Sequence, residues 1–391
     1  MNHSFGRTRP SKSHGHDLHI DQGQPHRDTH FRPLPPPSGR PPFQLDLATI
    51  LSADDLATVN DHGKLVFHLN GDMGGIKDDR PQTLVAAGME GDLEAAPKGS
   101  PDRPSFLYIL GDCVYFNGEV EEYYNQFYEP YVHYNAPIFA VPGNHDGENL
   151  PGKHSLDGFI RNFCAEHPGI MQPEAKDSNR TAMVQPNVYW TLLTPLANFI
   201  GLYSNVPEGG DIRGDQDQWF VGQLKTLPKD RPLFVSLHHP IYSGDNFHSG
   251  STKMKQVLED AFRKANRIPE MVFAGHVHNY QRFTKMHANG AATPYIVAGA
   301  GGYHNLHTMK KVDGEAIIAP VEFERDGDEP ITLESYSDDH HGFLRLEVTR
   351  TTITGKYYTV PRPHEPYSKP RKLIDYFEFD WKARRVRRNA L

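Results

Sequence analysis

Cysteine is nearly absent. Cys113 and Cys164 are the two in 391 residues, too few for a disulfide framework, so the core must come from apolar burial, a reducing compartment is the natural setting, and one bridge is the most the chain can form. Also missing is any apolar run long enough to cross a bilayer, and the first residues lack the apolar core of an export signal. The expectation is a soluble, cytoplasmic protein with no membrane partner. Positive charge does not prevail either: the net charge of −8 leaves no footprint for nucleic acid, and the basic stretch from Lys382 to Arg388 reads as a solvated terminus. Residues 1–43 have almost no aliphatic side chains and are rich in His, Pro, Arg, Ser and Gly. Such a segment buries too little surface to offset its ordering entropy, which predicts a disordered arm whose histidines, among them His3, His14 and His26, have no fixed geometry for a metal.

What is present from residue 44 to residue 391 is the composition of an ordinary globular protein, with no internal repeat, and it is read as a single domain. Short apolar runs alternate there with polar loops. Leu65 to Leu69, Phe106 to Leu110, Ile138 to Val141, Leu233 to Leu237 and Met271 to Ala274 each predict a strand buried on both faces. Helical spacing predicts a helix over 251–266 with Ser251 as N-cap, another over 215–227, and a third over the aromatic-rich 118–134. The stretch from Gly75 to Ser105 reads as a long loop. Later, Phe343 to Val348, a turn near Thr349 and a return from Ile353 to Val360 predict a hairpin, and Phe377, Phe379 and Trp381 alternate as a strand would. Strands with helical connections early and hairpins late give a mixed α/β (α+β) class: two mixed sheets flanked by helices.

A motif follows each of the five early strands: Gly71-Asp72-Met73-Gly74, Gly111-Asp112-Cys113-Val114-Tyr115, Gly143-Asn144-His145-Asp146, His238-His239-Pro240 and Gly275-His276-Val277-His278. One Gly-Asp or one His-x-His means little, being common in turns. Five in succession, each at the end of a buried strand, bring carboxylates, an amide, a phenol and imidazoles to one sheet edge, and that is the donor list of a two-metal hydrolytic site.

In order and wording these motifs resemble the calcineurin-like metallophosphoesterases and, within them, the purple acid phosphatases. The resemblance runs from Leu65 to His278 and continues more loosely through Ala298-Gly299-Ala300-Gly301-Gly302. It implies the four-layer family fold, a two-sheet sandwich between helices. Most of the family opens with Asp-x-His, whereas this chain has Asp72-Met73-Gly74, and Tyr115 resembles the compensation made in the purple acid phosphatase branch. The resemblance then implies Asp72, Asp112, Tyr115 and His278 on one metal and Asn144, His238 and His276 on the other, with Asp112 bridging. A core tyrosine is the other reading of Tyr115.

Two aspartates and a phenolate carry three negative charges. Fe(III) with a divalent partner (Fe, Zn or Mn) leaves the cluster doubly positive, and a phenolate is a hard anionic donor suited to ferric iron. By the same resemblance His145 faces the substrate phosphate, with Asp146 holding its imidazolium form, and His248 lies near the leaving group, a surface-loop histidine being the alternative there. Arg282 reads as structural. The expected activity is hydrolysis of a small phosphate monoester by metal-activated hydroxide. A phosphodiesterase acting on cyclic nucleotides or lipid head groups, and a non-catalytic scaffold, are the rivals. Oligomeric state is not legible.

Overall fold

A computed structural model describes residues 30–148 and 153–389. Along the chain run β1 (Gln44–Asp46), α1 (Ala53–His62), β2 (Lys64–Asn70), α2 (Arg80–Ala95), β3 (Leu107–Ile109), β4 (Ile138–Ala140), the short α3 (Asn144–Gly147), α4 (Asp157–Phe163), β5 (Trp190–Leu193), β6 (Asn198–Gly201), α5 (Asp215–Thr226), β7 (Leu233–Leu237), α6 (Thr252–Ala265) and β8 (Met271–Ala274). An antiparallel half follows: β9 (Tyr280–Met286), β10 (Ala292–Ala298), the small β11 (Lys311–Val312) and β12 (Glu315–Ala316), β13 (Val321–Asp326), β14 (Glu329–Ser337), β15 (Gly342–Thr349), β16 (Thr352–Thr359), β17 (Lys372–Asp380) and β18 (Arg385–Asn389).

These strands form two large mixed sheets. One is seven-stranded, in the order β18-β17-β16-β15-β2-β3-β4, and the other nine-stranded, β1-β5-β6-β7-β8-β10-β9-β14-β13. The five motif-bearing strands are therefore divided: β2, β3 and β4 run parallel in one sheet and β7 and β8 in the other. One sheet edge was expected to carry all five motifs; instead two edges meet. Buried parallel strands look alike in either sheet, so nothing local distinguishes the partition.

Aromatic rings hold the sheets face to face. Phe67 of β2 stacks on Phe106 at 5.1 Å and meets Phe199 of β6 edge-on at 5.1 Å, and Phe234 of β7 bridges Phe199 and Phe273 at 5.0 and 5.3 Å. Each such pair adds roughly 0.5–1.5 kcal/mol beyond its area burial. Alternate residues of the same strands, Ile200, Val235 and Val272, point outward into a second core with Phe220 and Leu224 of α5 and Met254, Leu258 and Phe262 of α6. That is why these runs are apolar on both faces. On the far side of the other sheet lies α2, giving helix, sheet, sheet, helix.

Helix α2 occupies the segment expected to be a loop. Pro81 near its start and buried Leu84, Val85, Met89 and Leu93 are helical signals, masked in the sequence by Gly88 and Gly91. The 118–134 segment is not one helix. It is a 3-10 turn over Val120–Glu122 and a π turn over Tyr124–Tyr128, bent so that Tyr123, Phe127, Tyr128 and Tyr131 all reach the core. The helices at α5 and α6 are as expected, and Ser251 Oγ caps α6 by accepting from Met254 N at 3.0 Å. The basic terminus is structural: Arg385–Asn389 pairs with β17, and Arg384 binds Glu270 and the carbonyls of Ile268 and Pro269.

Of the arm, residues 1–29 lie outside the described residues. Residues 30–43 lie against the body through Arg32 N to Asn205 Oδ1 at 2.8 Å, Gly39 N to Pro186 O at 2.7 Å and the buried ring of Phe43. Both cysteines are buried and free.

Asp92 ties α2 to the sheet, accepting from His68 at 3.0 Å and Arg345 at 3.1 Å and pairing with Arg371. Burial pushes its carboxyl up, but these neighbours outweigh that and hold it well below the usual aspartate range. Asp92→Ala should cost about 1–3 kcal/mol in urea unfolding at pH 7, because it removes the acceptor that His68, Arg345 and Arg371 share, although Arg345 keeps Glu347. A carboxylate depressed on folding contributes fully above its unfolded pKa and loses that contribution as pH falls through the lower folded value, so the gap between wild type and variant should start to narrow below about pH 4 and shrink steadily with further acid.

Candidate metal centre

Parallel strands deliver the five motifs to a common cleft because their carboxyl ends point the same way. Within each sheet the strand ends are tied together, Asp72 N donating to Gly111 O at 3.0 Å and Gly275 N to His238 O at 3.0 Å, and Gly71 N crosses between the sheets to Ala298 O at 2.8 Å. His276 N donates to Asp72 Oδ2 at 2.8 Å and His238 Nδ1 to Leu110 O at 2.8 Å, each crossing from one sheet to the other.

Asp72, Asp112 and His276 have φ of 56°, 51° and 67°, the left-handed region that non-glycine residues rarely adopt. Strain at three neighbouring polar side chains marks a functional site. Small residues make the approach possible. A Cβ on Gly143 would overlap the Asp112 carboxylate, and one on Gly111, itself at φ 97°, would lie 2.5 Å from His238 Nδ1.

All seven expected metal ligands converge. His238 Nε2 lies 3.0 Å from Asn144 Oδ1 and 3.3 Å from Asp112 Oδ2, and His276 Nδ1 is 3.1 Å from the same Asn144 oxygen. Tyr115 OH is 3.4 Å from Asp72 Oδ1 and 3.3 Å from His278 Nε2, which is itself 3.4 Å from Asp72 Oδ1. His238 Nδ1 is committed to the Leu110 carbonyl and His278 Nδ1 to Asn305 O at 2.9 Å. In each neutral imidazole the proton therefore sits on Nδ1, and Nε2 turns a bare lone pair toward carboxylate and amide oxygens. Acceptors facing acceptors at this range favour a cation between them, and the mixed oxygen and nitrogen donor set fits bound metal ions.

The electrostatics agree. Burial lowers the His238 pKa, but Asp112 and Asp72 outweigh it and raise it to about 9, a proton serving where a cation belongs. Burial and the Asp112 and Asp72 charges push the Tyr115 phenol far up, so it ionises only against a metal.

The three residues given catalytic roles differ in setting. His145 donates from Nδ1 to Phe116 O at 2.7 Å and turns Nε2 toward Asp112 Oδ2, 3.9 Å away, at the cleft floor. Asp146 is a brace: its carboxylate accepts from Cys113 N, Val114 N and Gly143 N at 2.9–3.2 Å, locking the second and third motifs together. The sequence expectation put this carboxylate on the neighbouring imidazole, but the tight turn of α3 points it back at the amides. His248 sits at the rim, its Nδ1 3.0 Å from Glu208 Oε1 and its ring 4.5 Å from His276. Arg282 is structural, pairing with Asp375 at 2.6 and 2.9 Å and so joining β9 to β17.

Sequence reasoning missed the supports. Gln126 grips both backbone groups of Tyr115 at 2.9 and 2.7 Å and is held in turn by Gln82 at 2.6 Å. Buried Asp245 accepts from the amides of Phe247 and His248 and from His307 Nδ1, and the His307 ring lies 4.5 Å from that of His278. Glu208 faces His276 Nε2 at 3.9 Å. Nothing in the local sequence flags these residues; their roles come from tertiary contact.

The profile of the calcineurin-like phosphoesterase family matches residues 65–280. The chain belongs to this family. Among curated relatives of this calcineurin-like phosphoesterase, probable purple acid phosphatase 20 of Arabidopsis thaliana is 31% identical over 175 residues, 42% of this chain and 38% of that protein. Purple acid phosphatase 21 of the same plant is 28% identical over 173 residues, 42% of this chain and 36% of that one. The chain thus matches well under half the length of these relatives. A purple acid phosphatase, PPD1 from yellow lupin (Lupinus luteus), superposes with a TM-score of 0.57 at 16% identity over 81% of this chain and 54% of that one. PhoD gives a TM-score of 0.51 at 13% identity over 84% and 72%. At such identities the structures show a shared fold.

Gly143→Ala should force the Asp112 carboxylate aside. Metal content after dialysis should fall below half that of wild type while the far-ultraviolet circular dichroism is unchanged; full metal retention would show that the loop can yield.

Proposed function

We propose that this protein is a binuclear metal-dependent hydrolase of small phosphate monoesters, of purple acid phosphatase type. The observation that supports the reading is the convergence of seven potential donors, two of them, His238 and His278, with Nδ1 bonded outward to a backbone carbonyl and Nε2 turned inward. Asp72, Asp112, Tyr115 and His278 would hold Fe(III), and Asn144, His238, His276 and the shared Asp112 a divalent Fe, Zn or Mn ion. Bound there, the pair supplies Lewis acidity, an activated water and positive charge for the phosphoryl oxygens.

The chain's own residues do the rest. Asp112 sets the spacing of the two halves of the site. His145, its Nδ1 proton fixed on Phe116 O, presents Nε2 to the phosphoryl group above Asp112. His248, on the opposite rim, is placed to give a proton to the departing alkoxide. Buried aromatic side chains, Tyr115, Phe116 and Tyr303, wall off one side from water. An intact donor set weighs against a non-catalytic scaffold, and no helix among the described residues is long and apolar enough to cross a membrane.

Three measurements test this. Purified protein should show a visible tyrosinate-to-iron charge-transfer band that Tyr115→Phe abolishes; bound manganese or zinc with no band would remove the ferric assignment. Asp112→Asn should lose both metal and turnover, and a metal-replete, fully active variant would contradict the bridging role. Para-nitrophenyl phosphate should be cleaved at least about tenfold faster than its bis ester, and the reverse order would favour the diesterase.

A further inference from the structure

The two sides of the cleft rim differ in charge. Beside Tyr115 and Tyr303 the exposed Lys77 lies 5.3 Å over the ring of Phe116, whose carbonyl fixes His145. Across the cleft, next to His276 and His248, the rim carries a carboxylate, Glu208, with a side chain 62% exposed.

Glu208 stands at the tip of a pinned loop. Asp211 N closes onto Ser204 O at 2.6 Å and Gly210 N onto Pro207 O at 2.7 Å, while Gly209 and Gly210 take φ of 77° and 80° and Ser251 Oγ binds Gly209 O. At the base of the loop Ser204 Oγ meets His239 Nδ1 at 2.8 Å. The nearby cations Arg213 and Lys253 are both drawn to Asp211. Glu208 is thus held on the leaving-group side, 3.0 Å from His248 and 3.9 Å from His276. Next to His248 in the chain, Phe247 is 39% exposed, with its amide anchored on Asp245 and its ring 5.1 Å from His307. Glu208 beside His248 and the partly exposed Phe247 beside His307, whose ring lies 5.5 Å from His248 and 4.5 Å from His278, bring a carboxylate and an aromatic side chain to one side of the cleft, and these are the two elements that recognise an alkylammonium group.

We propose that Glu208 and Phe247 form a leaving-group subsite that selects phosphate monoesters of cationic alcohols and turns away those whose alcohol carries a second negative charge. The proposal rests on the phosphoesterase reading above. A carboxylate at this position attracts an ammonium on the alcohol and repels a carboxylate or second phosphate there, while leaving the phosphoryl end to the metal ligands and His145. The ring of Phe247 adds a preference for the quaternary, weakly hydrated cation over the primary one.

Steady-state hydrolysis by the metal-loaded full chain should be measured with phosphocholine, phosphoethanolamine, glycerol 2-phosphate and 3-phosphoglycerate. Wild type should rank them in that order in kcat/KM, with at least about a tenfold span between first and last that resides in KM. Glu208→Gln should collapse the span and Glu208→Lys invert it, and Phe247→Ala should remove the advantage of choline over ethanolamine. A ratio between substrates is insensitive to partial misfolding, which lowers all four alike. A wild-type ranking indifferent to charge, or a span unchanged in Glu208→Gln, overturns the subsite while leaving a phosphoesterase. Failure of the wild type on all four and on para-nitrophenyl phosphate overturns both readings.

Discussion

Lone pairs facing lone pairs are the constraint on which this structure turns. A buried carboxylate, an amide oxygen and two imidazole nitrogens cannot share a pocket in water-poor surroundings unless something positive stands between them. The fold commits itself to that arrangement by using the other nitrogen of each imidazole: Leu110 O takes the His238 proton and Asn305 O that of His278. Those two carbonyls decide the tautomer, and the tautomer decides that the pocket is a cation site rather than a closed hydrogen-bond network. The same preference for positive charge shows in His238, whose pKa Asp112 and Asp72 raise against the effect of burial.

Such a pocket would pull apart the sheet edges that form it, so the surrounding backbone is over-determined. The left-handed residues Asp72, Asp112 and His276 each sit where a hydrogen bond crosses between motifs. Asp112 also accepts the His145 amide at 2.9 Å, and Asp146 gathers three more amides underneath. The aromatic seam between Phe67, Phe106, Phe199 and Phe234 stabilises the sheet pairing from below, and Arg282 with Asp375 fastens it at a distance. Strain at Asp72, Asp112 and His276 is offset by packing elsewhere, which is the ordinary division of labour between a site and its scaffold.

This division explains what could be read from the sequence. The candidate donors lie at the ends of apolar runs, in four of the five motifs just after a glycine, and that signal is local: a strand buried on both faces, a sharp turn, a donor. Asp72, Asp112, Asn144, His238, His276 and His278 stood out as candidate donors for this reason and Tyr115 through the family resemblance, and the structure brings the seven together; the Ser251 cap and the hairpin of β15 and β16 were legible locally. The partition of the strands between two sheets was not, since β4 and β7 carry the same pattern and only pairing separates them. Helix α2 was hidden by two glycines, and the π turn at Tyr124–Tyr128 by a spacing that imitates an α-helix. Asp146 was misread because its role depends on where the α3 turn aims it. Gln126, Gln82 and Asp245 act through partners far along the chain, and their residue types announce nothing.

The rim obeys a different rule from the floor. Floor residues are packed against one another: each turns a polar atom into the cleft, and a side chain at position 143 would overlap the Asp112 carboxylate. Rim residues such as Lys77, Glu208 and Phe247 touch solvent and meet no such demand, so their charge and shape are free to differ without disturbing the centre. A family that shares one hydrolytic core can therefore serve many esters, and the substrate of any member is written in loops that the motif pattern does not cover. In this chain the loop from Ser204 to Asp211 is short, closed by its own backbone bonds and braced against His239 and Ser251. Rigidity of that kind is costly in entropy for an exposed segment, and it makes physical sense if the one charged side chain it displays over the cleft has to stay where it is.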